Sequence, residues 1–491
     1  MTSAAWAGQA EAAGSGLTWL AGDHHVHTKY SAKPDTLYTV DQQVDAARRN
    51  GLSWLAITDH GGHLHCRHGA RQAAADISRA RRANRDLILF QGLEWNVPAG
   101  EHASVLIAPG PDELAVLTEF EARFDAVVND TSGNTAAHQR LATAAVRWLG
   151  AQVRAGRVGA SLVVVNHPGN SGSYGPRELR ALLDADVSMV AALEGGPGHQ
   201  AAGIPAASGG AGRGRCGYDG RPGTKSYPGY PAAAYRTHGG FDWAVAKVGG
   251  LWDALLAEGR PVAVTASSDV HRVFGDVWDS GGAATDDGRF PDPVWTGRPA
   301  VGHGDFWPGQ YSRTHVGLRS VDHISVLDAL RAGRVWVDHG HLIDAVEVTV
   351  AGSRSLPAVT LGGVTSVEAG GEVRLTVQVK PAVRANHVGV VPVLRRVDLI
   401  AGPVTGSDDP GALGAPNTRV VTSWEISATQ PVQLSHVFGD VAQPFYLRLR
   451  GTDGRVSAPG SDEPRQDPIG EVDPWADLWF YTSAVFVTVD G

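Results

Sequence analysis

Hydrophobic and polar positions alternate along the chain in two different ways, and the change falls near residue 338. From residue 17 to about residue 337, short apolar runs alternate with stretches whose apolar residues recur at helical spacing. This alternation is typical of a repeating βα architecture. Seven runs are predicted to be strands: Leu17–Gly22, Leu52–Thr58, Leu87–Gly92, Ala103–Ala108, Ser161–Val165, Met189–Leu193 and Pro261–Ala266. Most are continuously hydrophobic, as expected of strands that are covered on both faces.

The stretches between these runs indicate helices. The first helix is the clearest, because Thr39 and Gln42 have the spacing of a capping box at its start and Asn50-Gly51 follows its last turn. Further helices are predicted at 69–84, 112–128, 135–155, 176–184, 241–258 and 321–332. Seven or eight units of this kind favour a closed α/β barrel over residues 17–340.

Three other segments complete the predicted organisation. Residues 1–16 form an N-terminal tail, and the segments 195–240 and 273–320 lack periodicity and are rich in Gly, Pro and aromatic residues. Loops of that length in a compact domain are usually functional, so we expect lids. Residues 341–491 show alternating apolar positions between Gly, Pro and Asp clusters, which predicts an antiparallel β-sandwich. Its predicted strands are Ala345–Val350, Val373–Val379, Arg396–Ile400, Val432–Val437, Phe445–Leu449 and Ala484–Val489.

Composition excludes several classes of function. The 491 residues carry a formal net charge of −9, so the chain offers no basic surface for a nucleic acid or an anionic membrane. No run of about 18 apolar residues is present, which argues against a membrane span. The two cysteines, Cys66 and Cys216, are too few for a disulfide framework and suit a reducing compartment. We therefore expect a cytoplasmic protein that acts on a small molecule, with its oligomeric state left open.

Histidines and carboxylates stand at the ends of successive predicted strands, where a barrel gathers its reactive groups. The motifs are Asp23-His24-His25-Val26-His27, Thr58-Asp59-His60, Gly92-Leu93-Glu94, His102, Asn166-His167-Pro168 and Asp269-Val270-His271. A single histidine at a strand end is most often a hydrogen-bonded loop residue, but six such motifs in order indicate a metal centre. Imidazole and carboxylate ligands without thiolates suit Zn, Mn or Fe, and the number of ligands suits two to three divalent ions.

Taken together, these motifs resemble the PHP (polymerase and histidinol phosphatase) superfamily over roughly residues 17–340. The Gly-x-Glu spacing and the long C-terminal part are closer to its carbaryl-hydrolase-like metallohydrolase branch. The resemblance implies a distorted seven-stranded βα barrel. It also implies one ion held by His25, His27, Glu94 and Asp269, a second held by Glu94, His102 and His167, and a third held by His60 and His271.

The resemblance is imperfect after the His-x-His motif, where many members have an Asp or His that completes the third ion's shell. Here the segment reads Tyr30-Ser-Ala-Lys-Pro-Asp35, so Asp35 is the expected substitute. Asp59 would orient a ligand or a water. His24 is out of phase with its neighbours and is expected to point away from the metals, whereas Glu194 either approaches them or caps the turn that follows it.

The remaining assignments concern catalysis and substrate binding. Asp59, His60 and Arg272 are assigned to catalysis. Arg67 and Arg298 are assigned to substrate binding because guanidinium groups suit phosphate, and His68 is assigned to substrate binding with them. His63, His65 and His68 are expected in a solvated loop, from which one could donate a proton to a leaving group.

The sequence thus favours a metal-dependent hydrolase of a small molecule, most simply a phosphoesterase with a metal-bridged hydroxide as nucleophile. The same apparatus would hydrolyse a carboxylic ester, carbamate or amide if the pocket excluded phosphate. From a different class, the chain could be a metal-stabilised, non-catalytic scaffold whose β-sandwich binds carbohydrate or protein.

Overall fold

The computed structural model of the chain describes residues 16–31, 36–352, 356–406, 409–427, 430–454 and 463–490. Seven strands lie side by side in chain order within its largest sheet. They are β1 (Thr18–Val26), β2 (Trp54–Ile57), β3 (Ile88–Asn96), β4 (His102–Ile107), β5 (Ser161–Val165), β6 (Val190–Gly196) and β7 (Ala263–Ala266). Each overlaps a predicted strand. A parallel bridge between Val26 and Val270 brings the chain that follows β7 back beside the end of β1.

The fourth strand runs against its neighbours, which differs from a simple βα repeat. β4 pairs antiparallel with both β3 and β5, whereas β1–β2, β2–β3, β5–β6 and β6–β7 are parallel pairs. The reason is the short connection 97–101, because a parallel crossover needs roughly a dozen residues or more. The reversal places His102, the first residue of β4, opposite Asn96 at the same edge as the C-terminal ends of the parallel strands.

Helices connect most of these strands. They are α1 (Val40–Arg49), α2 (Ala70–Ala83), α3 (Glu113–Phe124), α4 (Ala136–Arg154), α5 (Pro176–Ala185), α6 (Trp243–Ala246), α7 (Leu251–Ala257) and α8 (His323–Arg331). The predicted capping box is present, with Thr39 and Gln42 bonded in both directions. The single helix predicted at 241–258 is instead two helices, because the chain turns at Gly249 with a φ of +70° that favours glycine. None of the helices in the described part of the chain combines the length and apolar character needed to cross a bilayer.

The two long segments carry more structure than predicted. Segment 195–240 contains short 3-10 helices at Gln200–Gly203, Ala206–Ser208, Arg215–Gly217 and Ala232–Tyr235. Segment 273–320 contains a small hairpin, β8 (Trp278–Asp279) and β9 (Val294–Trp295), followed by β10 (Ser312–Leu318). β10 pairs antiparallel with β1, so the end of this predicted loop is part of the main sheet.

The C-terminal part forms two layers around a shared core. Its strands are β11 (Val335–His339), β12 (Ile343–Ala351), β13 (Val364–Glu368), β14 (Gly371–Pro381), β15 (Arg396–Pro403), β16 (Arg419–Glu425), β17 (Val432–Val441), β18 (Phe445–Thr452), β19 (Trp479–Thr482) and β20 (Val485–Asp490). β12, β14 and β17 form a separate antiparallel sheet, and the others extend the main sheet. Val348 and Val377 of the small sheet pack in one buried core with Leu399, Leu447 and Val487 of the large one. The prediction of an antiparallel region is wrong at one pair, because β13 runs parallel to β20.

The main sheet passes without interruption from the seven N-terminal strands into the C-terminal region. β1 pairs with β10, β10 with β11, and β11 with β19, and the order continues through β18 and β20 to β13. The C-terminal strands therefore share backbone hydrogen bonds with the part of the fold that carries the histidine motifs.

Candidate metal centre

Eight side chains from the six sequence motifs meet in one place. We call this group the histidine–carboxylate cluster; its members are His25, His27, His60, Glu94, His102, His167, Asp269 and His271. Subsets of these residues bring one ligand atom each to within 4.8 Å of one another. The cluster lies at the edge where β1, β2, β3, β5 and β7 end and β4 begins.

The most enclosed subset contains His25, His27, Glu94 and Asp269, all of them buried. His25 Nε2 lies 3.0 Å from Glu94 Oε1 and 3.2 Å from Asp269 Oδ1. His27 Nε2 lies 2.9 Å from Asp269 Oδ1 and 3.4 Å from Glu94 Oε2. Two nitrogens and two carboxylates at these distances form a four-ligand set that suits a divalent transition metal.

Glu94 belongs to a second subset as well. Its Oε1 lies 3.1 Å from His102 Nδ1 and 3.3 Å from His167 Nε2, and its Oε2 lies 2.6 Å from His60 Nδ1. A parallel bridge between His60 and Glu94 fixes their neighbouring positions. One carboxylate therefore stands between two groups of histidines, which is the arrangement that a bridging ligand of two ions requires.

His271 forms the centre of a third subset. His60 Nε2 lies 2.9 Å from His271 Nε2, and the ring centroids of His27 and His271 are 4.3 Å apart. His271 and Asp269 also share a subset with His199, a residue of segment 195–240. The cluster thus offers three adjacent positions at which a cation would meet at least three ligand atoms.

The outer nitrogens of three histidine rings are held by hydrogen-bond acceptors. His25 Nδ1 donates to Glu194 Oε1 at 3.0 Å, and His271 Nδ1 donates to the carbonyl oxygen of Asp269 at 2.9 Å. His27 Nδ1 donates to Ser31 Oγ at 3.2 Å, because the Ser31 hydroxyl itself donates to Asp59 Oδ1. Each neutral ring is left with its lone pair on Nε2, the nitrogen that faces the cluster.

This arrangement of ring nitrogens is better explained by bound metal ions than by contacts among the protein groups alone. The Nε2 atoms of His25 and His27 are 3.1 Å apart, although both rings present a lone pair there when neutral. Two lone pairs at this distance repel each other unless a proton or a cation lies between them. A divalent ion bound by both nitrogens and the adjacent carboxylates would remove this conflict.

Charges within the cluster perturb its pKa values strongly. Burial opposes ionisation of Glu94 and Asp269, but the surrounding histidines outweigh it and hold the pKa of both carboxyls well below the usual range. Burial and the nearby His271 lower the pKa of His27 to about 3, whereas Glu94 and Glu194 overcome burial and raise that of His167 to about 9. The carboxylates therefore stay ionised at neutral pH, as cation ligands must.

The other predicted residues occupy different places. Asp59 is buried outside the cluster and accepts hydrogen bonds from Thr28 and Ser31, so it reaches His27 only through Ser31. Arg67 and Arg298 are exposed, and their described contacts are with Arg71 and Thr296 rather than with the cluster. Asp35 lies outside the described residues.

His68 contacts segment 273–320, and Arg272 directly precedes that segment in the sequence. The ring of His68 packs against Gly288, so close that a Cβ on this glycine would come within 2.7 Å of it. Arg272 is half-buried directly after His271, and its backbone N–H donates to Asp305 Oδ2.

His24 and His65 are both buried. The prediction that His65 is solvated is wrong, because it is buried and its Nδ1 lies 2.9 Å from Glu121 Oε1. His24 is buried on the far side of Glu194, 3.7 Å from its Oε1. Glu194 does approach the cluster, since it holds His25 Nδ1 and accepts the backbone N–H of His167 at 2.8 Å.

Sequence reasoning missed His199 and Asp305. His199 Nε2 lies 3.1 Å from Asp269 Oδ2, and its Nδ1 lies 2.5 Å from Asp305 Oδ1. Both residues come from the aperiodic segments, where no strand register indicates which side chains face inward. The available signal was the position of His199 shortly after the end of β6.

One comparison with known proteins gives a domain type for part of the chain. Residues 23–147 match the family model described as PHP domain. No curated protein matches the chain. Among solved structures, the chain is similar to a two-domain protein from Bacteroides vulgatus ATCC 8482 containing a predicted PHP-like metal-dependent phosphoesterase, at 12% identity over 93% of this chain and 96% of that one, with a TM-score of 0.37. A likeness at that level adds no argument about function, and the narrower carbaryl-hydrolase-like branch stays a prediction.

The matched segment holds five members of the cluster, His25, His27, His60, Glu94 and His102. His167, Asp269 and His271 lie beyond its end and join the cluster through the fold. The PHP-domain match therefore covers part of the cluster, and the other members come from later in the chain.

Proposed function

We propose that this chain is a metal-dependent hydrolase that cleaves small-molecule phosphate esters. The observation that supports this proposal most directly is the position of Glu94, whose two oxygens lie between separate groups of histidines within the buried cluster. A carboxylate in this position is suited to holding two divalent ions side by side. The PHP-domain match over residues 23–147 supports the same class of chemistry.

The residues that would hold the ions can be named from the distances around Glu94 and Asp269. His25, His27, Glu94 and Asp269 would hold one Mn, Zn or Fe ion, and Glu94, His102 and His167 would hold a second. When bound, adjacent divalent ions activate water and stabilise the charge that develops on a transferring phosphoryl group.

The chain's own contribution is to fix the ligands before the substrate arrives. Glu194 holds the ring of His25, and the Asp59–Ser31 pair holds the ring of His27, so that neither ring needs to reorient. We assign Asp59 to this positioning role and His60 to the metal shell. Fixed ligands of this kind reduce the reorganisation that the reaction requires.

Substrate would approach from the side on which the cluster meets solvent. The side chains of His102 and His199 retain 22% and 29% of their exposure, whereas His25 and Glu94 have none. We propose Arg272 as an anion contact at this opening because it follows His271 directly, with His68, Arg67 and Arg298 as outer contacts. The ionised carboxylates would repel a phosphate group, so binding of the ions must precede binding of the substrate.

The experiment compares hydrolysis of matched chromogenic esters by the stripped and the reloaded protein. After chelation, Mn²⁺, Zn²⁺ or Fe²⁺ is restored and p-nitrophenyl phosphate, bis(p-nitrophenyl) phosphate, p-nitrophenyl acetate and an aryl carbamate are tested. We expect metal-dependent turnover of a phosphate ester, abolished in His25→Ala. Turnover of only the acetate or the carbamate would replace phosphoester chemistry with the carboxyl alternative. No turnover of any ester by a folded, metal-loaded protein would favour the scaffold.

A further inference from the structure

We propose that His199 is a ligand of the metal ion at His271, in the place where the sequence led us to expect Asp35. This inference rests on the proposed metal-dependent function and extends it to one of the long segments. It makes segment 195–240 part of the metal shell.

The first support is the position of the imidazole ring. His199 Nε2 lies 3.1 Å from Asp269 Oδ2, and the ring centroids of His199 and His271 are 5.1 Å apart. His199, Asp269 and His271 each bring a ligand atom to within 4.8 Å of the others. The side chain of His199 is 29% exposed and that of His271 is 11% exposed, so His199 lies on the solvent side of this group.

The second support is the carboxylate behind the ring. Asp305 Oδ1 accepts from His199 Nδ1, which leaves the lone pair of the neutral ring on Nε2, facing Asp269. Asp305 Oδ2 also accepts the backbone N–H of His271 at 2.5 Å. A carboxylate that holds the outer nitrogen of a histidine is the usual partner of a metal-bound imidazole. Here it fixes two neighbouring ligands at once.

The third support is the backbone around His199. Its φ is +54°, a left-handed conformation that is uncommon for a residue other than glycine, and Asp269 has the same kind of φ at +45°. Gly198 lets the segment approach this closely, because a Cβ there would lie 2.3 Å from the Cβ of Asp269. Strained backbone of this kind persists where the surrounding structure fixes it, and it is common at ligand sites.

The main alternative is a purely structural role. A protonated His199 between Asp269 and Asp305 would form two ion pairs and hold the segment in place without any metal. The two roles differ in what is lost on substitution. Replacing a purely structural residue changes the free energy of unfolding, whereas replacing a metal ligand changes the number of ions bound and their affinity.

The experiment measures zinc bound per chain by mass spectrometry after loading the full-length protein with Zn²⁺ and removing excess ion. The variants are His199→Ala, His271→Ala, the double variant, and His238→Ala as a matched control. His238 belongs to the same segment, but its Nε2 contacts the carbonyl oxygen of Ala233 instead of the cluster. Circular dichroism and thermal unfolding establish that each variant is folded.

We expect His199→Ala and His271→Ala each to lose about one zinc equivalent, the double variant to lose no more than His271→Ala, and His238→Ala to match the wild type. His199→Cys should restore the zinc count, because a thiolate is a good zinc ligand. Should His199→Ala not fold, Asp305→Asn is expected to weaken the most weakly held zinc by about 10- to 100-fold.

A folded His199→Ala protein with the wild-type zinc count and affinity would overturn the inference while leaving the proposed function intact. Unchanged zinc affinity in Asp305→Asn would also count against it. A wild-type protein that binds none of Zn²⁺, Mn²⁺ and Fe²⁺ would overturn both proposals, so the two failures are distinguishable.

Discussion

The histidine–carboxylate cluster and the C-terminal region both bury charged side chains, but they arrange these charges in opposite ways. In the histidine–carboxylate cluster, ring nitrogens converge on one another and on the shared carboxylate of Glu94. In the C-terminal region, the buried arginines pair with aspartates instead: Arg396 and Arg450 share Asp398, and Arg448 pairs with Asp253. Arg448 on β18 binds Asp253 on α7 through two hydrogen bonds of 2.8 and 2.7 Å, and neither side chain is exposed.

The difference lies in whether the buried charge is already matched. A guanidinium with a bidentate carboxylate satisfies its geometry and its charge within the protein. The cluster instead brings together atoms of the same kind, such as two Nε2 atoms 3.1 Å apart, and their conflict is removed by an additional cation. Burial alone therefore does not identify a functional site; the mismatch among the buried groups does.

The largest expected effect follows from removing the shared carboxylate. Glu94→Gln should lower the rate of phosphate ester hydrolysis by about 10³-fold or more, since metal ions supply several kcal/mol of transition-state stabilisation. It should also lower the number of ions retained per chain. Steady-state assays and metal analysis at fixed metal concentration measure both effects. A variant with wild-type turnover would contradict the role given to Glu94.

The corresponding substitution at the Arg448–Asp253 ion pair should change the free energy of unfolding without changing metal binding. Arg448→Met leaves Asp253 buried without its partner and should lower the free energy of unfolding by about 3–5 kcal/mol. The double variant Arg448→Met/Asp253→Asn removes both charges and should recover most of that loss. Urea unfolding measures the stability, and the zinc count should stay at the wild-type value. Loss of zinc from the folded single variant would contradict the independence of this ion pair from the metal centre.

A smaller effect is expected on the pH dependence of stability. Burial lowers the pKa of His315, which lies beside Asp338 and stacks on Trp336, to about 4 from an ordinary value of 6.5. Between these two pH values the unfolded chain binds the proton and the folded chain does not. The contribution of His315 to stability is therefore complete above pH 6.5 and is lost as the pH falls towards 4, by about 3 kcal/mol in total.

His315→Gln, which cannot titrate, should show a shallower fall in the free energy of unfolding over this interval. Urea unfolding of the metal-stripped protein at several pH values compares the two slopes. Equal slopes for the wild type and the variant would mean that His315 does not remain neutral in the folded chain.

The smallest effect is expected at Arg298. This residue is exposed on segment 273–320, so Arg298→Ala should change the free energy of unfolding by no more than about 0.5 kcal/mol. If it contacts the substrate, the KM for a phosphate ester should rise while kcat stays unchanged. An unchanged KM would remove Arg298 from the proposed substrate contacts.

The parts of the fold that could be predicted are those with a regular period. The sequence predicts the seven strands of the N-terminal region because buried strands are continuous apolar runs. It indicates the eight members of the cluster because they stand at the ends of these runs. The direction of β4 could not be predicted from its apolar pattern, because this pattern does not distinguish parallel from antiparallel strands. The short connection 97–101 is the feature that indicates the reversal.

The rest depends on contacts between distant segments. His199 and Asp305 are 106 positions apart in sequence, and neither lies in a periodic stretch. β13, β16 and β19 are short strands whose pairing partners come from elsewhere in the C-terminal region, so no local pattern distinguished them from loops. Likewise β10 was hidden in the predicted loop 273–320, because its partner is the first strand of the chain.

The pairing of β11 with β19 limits how this protein can be shortened. A fragment ending near residue 340, where the sequence pattern changes, would lack β19 and expose the backbone N–H and C=O groups of β11 along a newly created sheet edge. Such edges recruit strands from other molecules and promote aggregation. Expression of residues 1–340 alone should therefore yield insoluble material, and the whole 491-residue chain is the practical unit for expression and assay.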